Sequence, residues 1–285
     1  MRDRLMRLLL RDDVNFALTN MLPRRPLTSL MGRLSRIEFA PIRAPSIALW
    51  RFFADPDLGD ARDTRFRSLH HAFTRGLQDG ARPFDPDAAI LASPCDAIVG
   101  ACGRVTDGRL CQVKGRDYAL EELLRAPVGD FANCWFVTLR LTAGMYHRFH
   151  APHDILVRAV RYIAGDVWNV NASALKRVDR LYCRNERAVI HAQLGATGLP
   201  ILLVPVAAIL VAGIRLSFLD PDRLLRRGGA RLIPCDADLA KGEEMGWFEH
   251  GSTIILFAPP GCSLCADVGE GRPVRAGAPL LHLPA

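Results

Sequence analysis

The sequence predicts an α+β protein, in which a strand-rich, β-sandwich-like body follows a helical region at the N-terminus. Of its 285 residues 49% are apolar and 24% are charged, which is ordinary for a globular chain. Up to about residue 60, apolar residues recur at helical spacing among arginines. From Ala88 onward, short apolar runs alternate with Gly, Pro, Asp and Asn, a pattern typical of strands joined by turns.

The helical region is expected in residues 1–60 and the strand-rich domain in residues 61–285. Residues 1–22 intersperse leucines with arginines, which predicts an amphipathic helix or helix pair. Residues 45–54 predict a second short helix, and the apolar spacing over residues 60–77 predicts a one-faced third helix. The first helices either pack on the body or lie on an anionic bilayer, and the residues alone leave both alternatives open.

An apolar run at residues 199–218 is nearly long enough to cross a membrane as a helix. Pro200, Pro205 and Gly213 interrupt this run, however, and Arg215 lies within it. The run is therefore predicted to form two buried strands joined by a tight bend, and no membrane span is expected.

The net charge indicates the kind of partner, and the cysteines indicate the redox state and whether a metal is expected. The formal net charge of +7 indicates an anionic partner. Because the basic residues are mostly arginines scattered among aliphatic ones, a membrane surface is favoured over nucleic acid. The eight cysteines lie in apolar segments and are expected to be reduced. Cys262 and Cys265 form a CxxC pair without further ligands at metal spacing, so no metal is expected there.

Three stretches place reactive side chains at turns. His147, His150 and His153 recur at three-residue spacing, while Asp96 and Ser252 each precede or begin an apolar strand-like run. On an extended segment His147 and His150 point to opposite faces unless the chain bends. No carboxylate lies at the spacing from them that a shared metal site would need. A Ser, a His and an Asp form the set of an activated serine, although no G-x-S-x-G pattern surrounds this serine.

Five separated motifs, in unbroken order, resemble those of the pyruvoyl-dependent phosphatidylserine decarboxylase proenzymes. They are SPCDAIV at 93–99, QVKGRDYALEELL at 112–124, YHRFHAP at 146–152, RNERAVI at 184–190 and KGEEMGWFEHGSTIILF at 241–257. The segment LHHAFTRGLQDGARPFD at 69–85 is also similar to the helical lead-in of that family. The resemblance extends from about residue 60 to residue 260.

This resemblance implies a proenzyme that cleaves itself between Gly251 and Ser252. Ser252 would attack the carbonyl group of Gly251, and the small glycine leaves room for the tetrahedral centre. His150 would take the serine proton, and Asp96 would orient and support the resulting imidazolium.

Cleavage would produce a large chain, 1–251, and a small chain, 252–285. The resemblance implies that Ser252 becomes a pyruvoyl group, which forms a Schiff base with the amine of phosphatidylserine and serves as the electron sink for CO₂ loss. His147 would then protonate the carbanion, and phosphatidylethanolamine would be the product. A homodimer, and a peripheral location at the cytoplasmic face of the cell membrane, are also implied.

The chain departs from the family pattern at several positions. Met145 stands where an Asp commonly precedes the Tyr, which removes a charge near His147, and Ala97 replaces a Gly. These departures leave open a self-processing relative with another amino-acid-bearing substrate, and a non-catalytic lipid-binding homologue is the third alternative. Glu249 and His250, ahead of the Gly-Ser pair, have no role assigned by these patterns.

Overall fold

The computed structural model describes residues 11–21, 23–113, 116–209, 213–220, 230–249 and 252–284. Residues 1–10 and 22 of the amphipathic segment predicted at 1–22 lie outside the described residues. His250 and Gly251 also lie outside them, whereas Ser252 is described. The described chain has the predicted α+β composition.

Three helices occupy the N-terminal part of the described chain. They are α1 (Asp12–Asn20), α2 (Arg24–Leu34) and α3 (Ala40–Ala54). The prediction of an N-terminal helical region is therefore confirmed, and α3 begins earlier than expected, with a proline in its first turn. No helix within the described ranges is long and apolar enough to span a bilayer.

The helix predicted over residues 60–77 is wrong except at its centre. Helix α4 spans only Leu69–Phe73, and the Ser68 hydroxyl caps it by accepting from the amide of His71 at 3.0 Å. Ala61 and Leu77 instead pair as an isolated antiparallel bridge. Apolar spacing indicated which side chains face the body, but it did not show that the ends of this segment meet.

Eight antiparallel strands form the main sheet of the described residues. These strands are β2 (Ala97–Arg104), β5 (Trp135–Leu141), β7 (Ile155–Ile163), β8 (Arg187–Leu194), β9 (Pro200–Ala207), β11 (Ala230–Leu239), β13 (Ser252–Ala258) and β15 (Pro273–Val274). Their order across the sheet is β11-β7-β8-β9-β13-β5-β2-β15. Every residue of β13 is buried, because β5 and β9 pair with it on either side.

Shorter strands and helices surround this sheet. They are β1 (Ile90–Ala92), β3 (Arg109–Val113), β4 (Arg116–Ala119), β6 (Arg148–His150), β10 (Ile214–Leu216), β12 (Glu244–Phe248), β14 (Ser263–Leu264), β16 (Pro279–His282), α5 (Leu120–Leu124), α6 (Ala172–Arg177), α7 (Leu181–Arg184) and a 3₁₀ turn at Gly129–Phe131. The order β10-β12-β6 makes a small sheet next to the main one. The apolar run at 199–218 contains β9 and β10, which confirms the two predicted strands.

Polar residues of the RNERAVI motif stabilise the body from inside. The Asn185 amide nitrogen donates to the carbonyl groups of Trp168 and Ala207, both at 2.8 Å. The buried Arg187 guanidinium donates to four carbonyl oxygens at 2.7 to 3.0 Å, those of Glu122, Leu123, Cys183 and Asn185. This motif therefore joins short helices to the sheet.

Candidate functional site

Ser252 is the first residue of β13 and is fully buried, as the strand entry in the sequence predicted. It pairs with Leu141 of β5 on one side and Ala207 of β9 on the other. Its side-chain oxygen has no hydrogen-bond partner within the described residues. Burying a hydroxyl without a partner costs about 1–3 kcal/mol.

The loop between β5 and β6, residues 142–147, lies beside the segment that precedes Ser252. At one end of this loop Leu141 pairs with Ser252, and at the other the amide of Phe248 donates to the His147 carbonyl at 3.0 Å. The chain between Phe248 and Ser252, which includes the predicted cleavage position, is therefore anchored at both ends.

The N-terminal helical region supports this loop directly. Trp50 of α3 donates its indole N–H to the Ala143 carbonyl at 2.9 Å, and the Arg75 guanidinium donates to the Gly144 carbonyl at 3.1 Å. A Cβ on Gly144 would lie 2.4 Å from the carbonyl oxygen of Ala54, so only glycine allows this close approach. The helices thereby fix the histidine-bearing loop on the body.

His150 lies in β6 with each ring nitrogen engaged. Its Nδ1 is 2.9 Å from the Gly242 carbonyl oxygen and its Nε2 is 3.1 Å from the Tyr146 hydroxyl. Because a carbonyl only accepts, Nδ1 carries the proton and Nε2 accepts from Tyr146. Burial lowers the pKa of His150, so the ring is held neutral with its basic nitrogen at Nε2.

Gly242 provides the carbonyl group that sets this tautomer. Its φ of 88° lies in the left-handed region, and a Cβ there would be 3.0 Å from the Phe84 ring. Its amide donates to the Ala151 carbonyl at 2.9 Å. The Lys-Gly pair that opens the last resemblance motif therefore orients His150.

His147 is fully buried and is held by different neighbours from His150. Its Nδ1–H donates to the Met145 carbonyl at 2.8 Å, and its ring centroid lies 3.9 Å from that of Phe73. The orientation of the ring thus depends on the backbone of Met145 and not on its side chain. The Met at this position leaves that hydrogen bond intact.

Asp96 immediately precedes β2, as predicted, and is largely buried. Arg82 binds its carboxylate with two hydrogen bonds, Nε to Oδ1 at 2.8 Å and Nη2 to Oδ2 at 2.7 Å, and the amide of Ala276 donates to Oδ1 at 2.9 Å. The amide of His150 donates to the carbonyl of Pro94, two positions before Asp96. The structure therefore brings Asp96 and His150 into one neighbourhood.

The three members of the predicted triad are not hydrogen-bonded to one another within the described residues. Asp96 is bound by Arg82, His150 by Gly242 and Tyr146, and the Ser252 oxygen by no described group. The roles that the resemblance implies for them stay predictions, as does that of His147.

Four residues of this site had no role in the sequence-based interpretation: Arg82, Tyr146, Gly242 and Glu249. All four lie within stretches that resemble the family, which is the signal by which they can be found. Glu249 is buried, and its Oε1 accepts from Nη2 of Arg36 at 2.6 Å and from Nε of Arg215 at 3.2 Å.

The remaining candidate ligands have structural surroundings. His153 donates from Nε2 to the Ala88 carbonyl at 2.9 Å. Cys262 and Cys265 are buried free thiols, and burial raises the pKa of Cys262 to about 11. In the part of the chain that the structure describes, no three His, Cys, Asp or Glu residues are grouped as metal ligands.

Comparison with known proteins places the chain in a family. The family model for phosphatidylserine decarboxylase matches residues 69–282. The phosphatidylserine decarboxylase proenzyme of Aliivibrio salmonicida (strain LFI1238) is 31% identical over 287 residues, which cover 95% of this chain and 99% of that protein. The proenzyme of the same name from Alcanivorax borkumensis is 33% identical over 281 residues, or 93% of this chain and 94% of that protein. With most of its length matched, this chain belongs to the phosphatidylserine decarboxylase family.

Proposed function

We propose that this chain is a self-processing phosphatidylserine decarboxylase, which converts phosphatidylserine to phosphatidylethanolamine and CO₂ at the cytoplasmic face of a membrane. Family membership over nearly the whole chain supports the reaction. The observation that carries the self-processing step is the buried, unpartnered hydroxyl of Ser252 at the start of β13. A serine at this place in the chain directly follows the peptide bond that it would attack.

Self-cleavage begins when Ser252 Oγ attacks the carbonyl carbon of Gly251 and its proton passes to His150 Nε2. The C–N bond then breaks, the serine nitrogen takes the proton, and an ester joins the two residues. Elimination of the Gly251 carboxylate leaves dehydroalanine at position 252, and water replaces its nitrogen with release of ammonia. Asp96 favours the protonated His150 electrostatically, through its negative charge.

The pyruvoyl group that these steps would produce would lie at residue 252, the start of the buried strand β13. That group supplies an electron sink for decarboxylation. His147, fixed through Nδ1 by the Met145 carbonyl, is the proposed proton donor to the substrate carbon through Nε2. Burial of Ser252 and His147 keeps bulk water away from this proton transfer.

Intact-mass analysis of the purified protein tests the proposal. We expect two chains, 1–251 and 252–285, whose masses sum to the precursor mass plus one water minus one ammonia. Simple hydrolysis would add one water without loss of ammonia, and a single chain would contradict self-processing. Ser252→Ala should leave one intact chain, because alanine has no hydroxyl to attack the Gly251 carbonyl.

The product assay decides between the proposed substrate and the alternatives. The cleaved protein is expected to release CO₂ from phosphatidylserine in mixed micelles. Release of CO₂ only from a different amino-acid-bearing substrate would favour a relative with another specificity. A cleaved protein without any decarboxylase activity would favour a lipid-binding homologue. The implied homodimer is tested by sedimentation of the same sample.

The exposed apolar side chains of the N-terminal region support membrane docking. The large, exposed ones in the described chain are Met21, Leu30, Leu34, Phe39, Ile42, Leu49, Phe52, Phe53 and Leu232. All but the last lie in or between helices α1–α3, where Arg33 and Arg51 are exposed beside them. Apolar and basic side chains together are typical of a helix at an anionic bilayer surface.

Replacing Phe39, Leu49 and Phe52 together by serine should reduce binding to anionic vesicles by more than about 100-fold. Each large apolar side chain contributes roughly 1–3 kcal/mol when it is removed from water. Co-sedimentation with phosphatidylglycerol-containing vesicles measures the effect. Leu232→Ser is the matched control, since Leu232 is 50% exposed but lies on β11. Unchanged binding of the triple variant would contradict docking through these helices.

A further inference from the structure

We propose that Glu249 is a positioning residue for self-cleavage, and that Arg36 and Arg215 hold it in place. This inference rests on the proposed cleavage between Gly251 and Ser252. We name the contacts of Glu249 with Arg36 and Arg215 the Glu249 clamp.

The Glu249 clamp is a buried carboxylate with two guanidinium partners. The side chain of Glu249 is 4% exposed, whereas those of Arg36 and Arg215 are 47% and 23% exposed. Both arginines donate to the same oxygen, Oε1, at 2.6 Å and 3.2 Å. A buried carboxylate is stable only when it is paired, so the side chain of Glu249 has little freedom to move.

The clamp lies immediately before the bond to be cleaved. The amide of Glu249 also donates to the Gly213 carbonyl at 3.2 Å, which fixes its backbone. Ser252 is fixed in turn by its pairing in β13. Attack of a hydroxyl on the preceding carbonyl requires a particular bend of the chain, and anchors on both sides reduce the conformations that must be searched.

An open cavity lies next to the Glu249 clamp. A cavity of about 670 Å³ adjoins Glu249, and its lining includes Arg25, Gly32 and Arg33 besides the clamp. On this side Glu249 is held by its two charge-assisted hydrogen bonds with Arg36 and Arg215.

The two arginines come from separate parts of the chain. Arg36 follows α2, and its Nε donates to the Gly32 carbonyl at 3.2 Å, which directs the guanidinium toward Glu249. Arg215 lies in β10 opposite Trp247 of β12. The N-terminal helical region is thereby connected to the segment that is cleaved.

The test measures how fast the freshly synthesised precursor converts to two chains. Glu249→Gln keeps the size of the side chain and removes its charge, and Arg36→Gln removes one partner. We expect each to slow cleavage by about 10- to 100-fold, the range for a small misplacement of reacting groups. The double variant should be no slower than the slower single one, since Arg36→Gln removes one of the interactions that Glu249→Gln already weakens. Arg36→Lys should restore part of the rate.

Arg62→Gln is the matched control, because its ion pair with Asp79 joins side chains that are 65% and 98% exposed. Its cleavage rate should equal that of the wild type. Thermal unfolding of each variant in a Ser252→Ala background, where no cleavage is expected, distinguishes a role of Glu249 in stability from a role in positioning. The clamp predicts slow cleavage without a matching loss of unfolding temperature.

Three outcomes overturn the inference, and they are distinguishable. If Glu249→Gln is cleaved at the wild-type rate while Ser252→Ala stays uncleaved, the inference about Glu249 is wrong and the proposed function is unaffected. Slow cleavage that tracks a loss of stability assigns Glu249 a structural role instead. An uncleaved wild-type chain removes the proposed function and this inference together.

Discussion

Replacing His150 by alanine is expected to abolish self-cleavage and leave a single chain of full length. A hydrogen bond to the Gly242 carbonyl and one from the Tyr146 hydroxyl hold the ring with its basic atom at Nε2, the atom proposed to take the serine proton. Loss of a general base slows such a step by about 100- to 10,000-fold. Denaturing electrophoresis over time measures the conversion, with His282→Ala, an exposed histidine of β16, as the control.

The pH dependence of wild-type cleavage provides a second test of His150. Burial lowers its pKa below the ordinary value of 6.5, and the neutral ring is the base. The rate should therefore rise as pH increases through this lowered pKa, and it should be level between about pH 7 and pH 8. A rate that keeps rising above neutrality would assign the proton transfer to another group.

Replacing Arg187 by leucine should reduce the free energy of unfolding by about 3–5 kcal/mol. Leucine removes a guanidinium that is 1% exposed, and it leaves four carbonyl oxygens without their donor. Burial also lowers the pKa of Arg187 to about 10, which reflects how completely water is excluded. Urea unfolding in the Ser252→Ala background measures the loss on a single intact chain.

Arg184→Leu is the matched control for that substitution. Arg184 belongs to the same RNER stretch but is exposed, so its replacement should change the unfolding free energy by less than about 0.5 kcal/mol. Equal stability of the two variants would contradict a structural role for Arg187 and would instead favour a role in the candidate functional site.

Much of the fold followed from local patterns. Apolar runs interrupted by Pro and Gly correctly predicted β9 and β10, because both strands are largely buried, β9 in the main sheet and β10 in the small one. The helix over 60–77 was predicted wrongly. Apolar residues three or four positions apart also occur in an irregular segment that packs its apolar side chains against the rest of the protein. Only the pairing of Ala61 with Leu77, a tertiary contact, distinguishes the two.

The sequence by itself determined the family and the strand entries at Asp96 and Ser252, and it indicated the side chains for which the resemblance implies reactive roles. Each of these depends on residues that are neighbours in the chain. Tertiary structure alone decided which groups bind those side chains: Arg82 at Asp96, the Gly242 carbonyl at His150, and Arg36 at Glu249. Arg36 and Glu249 are 213 positions apart, and a contact over that distance exists only after the sheet and the helices have packed.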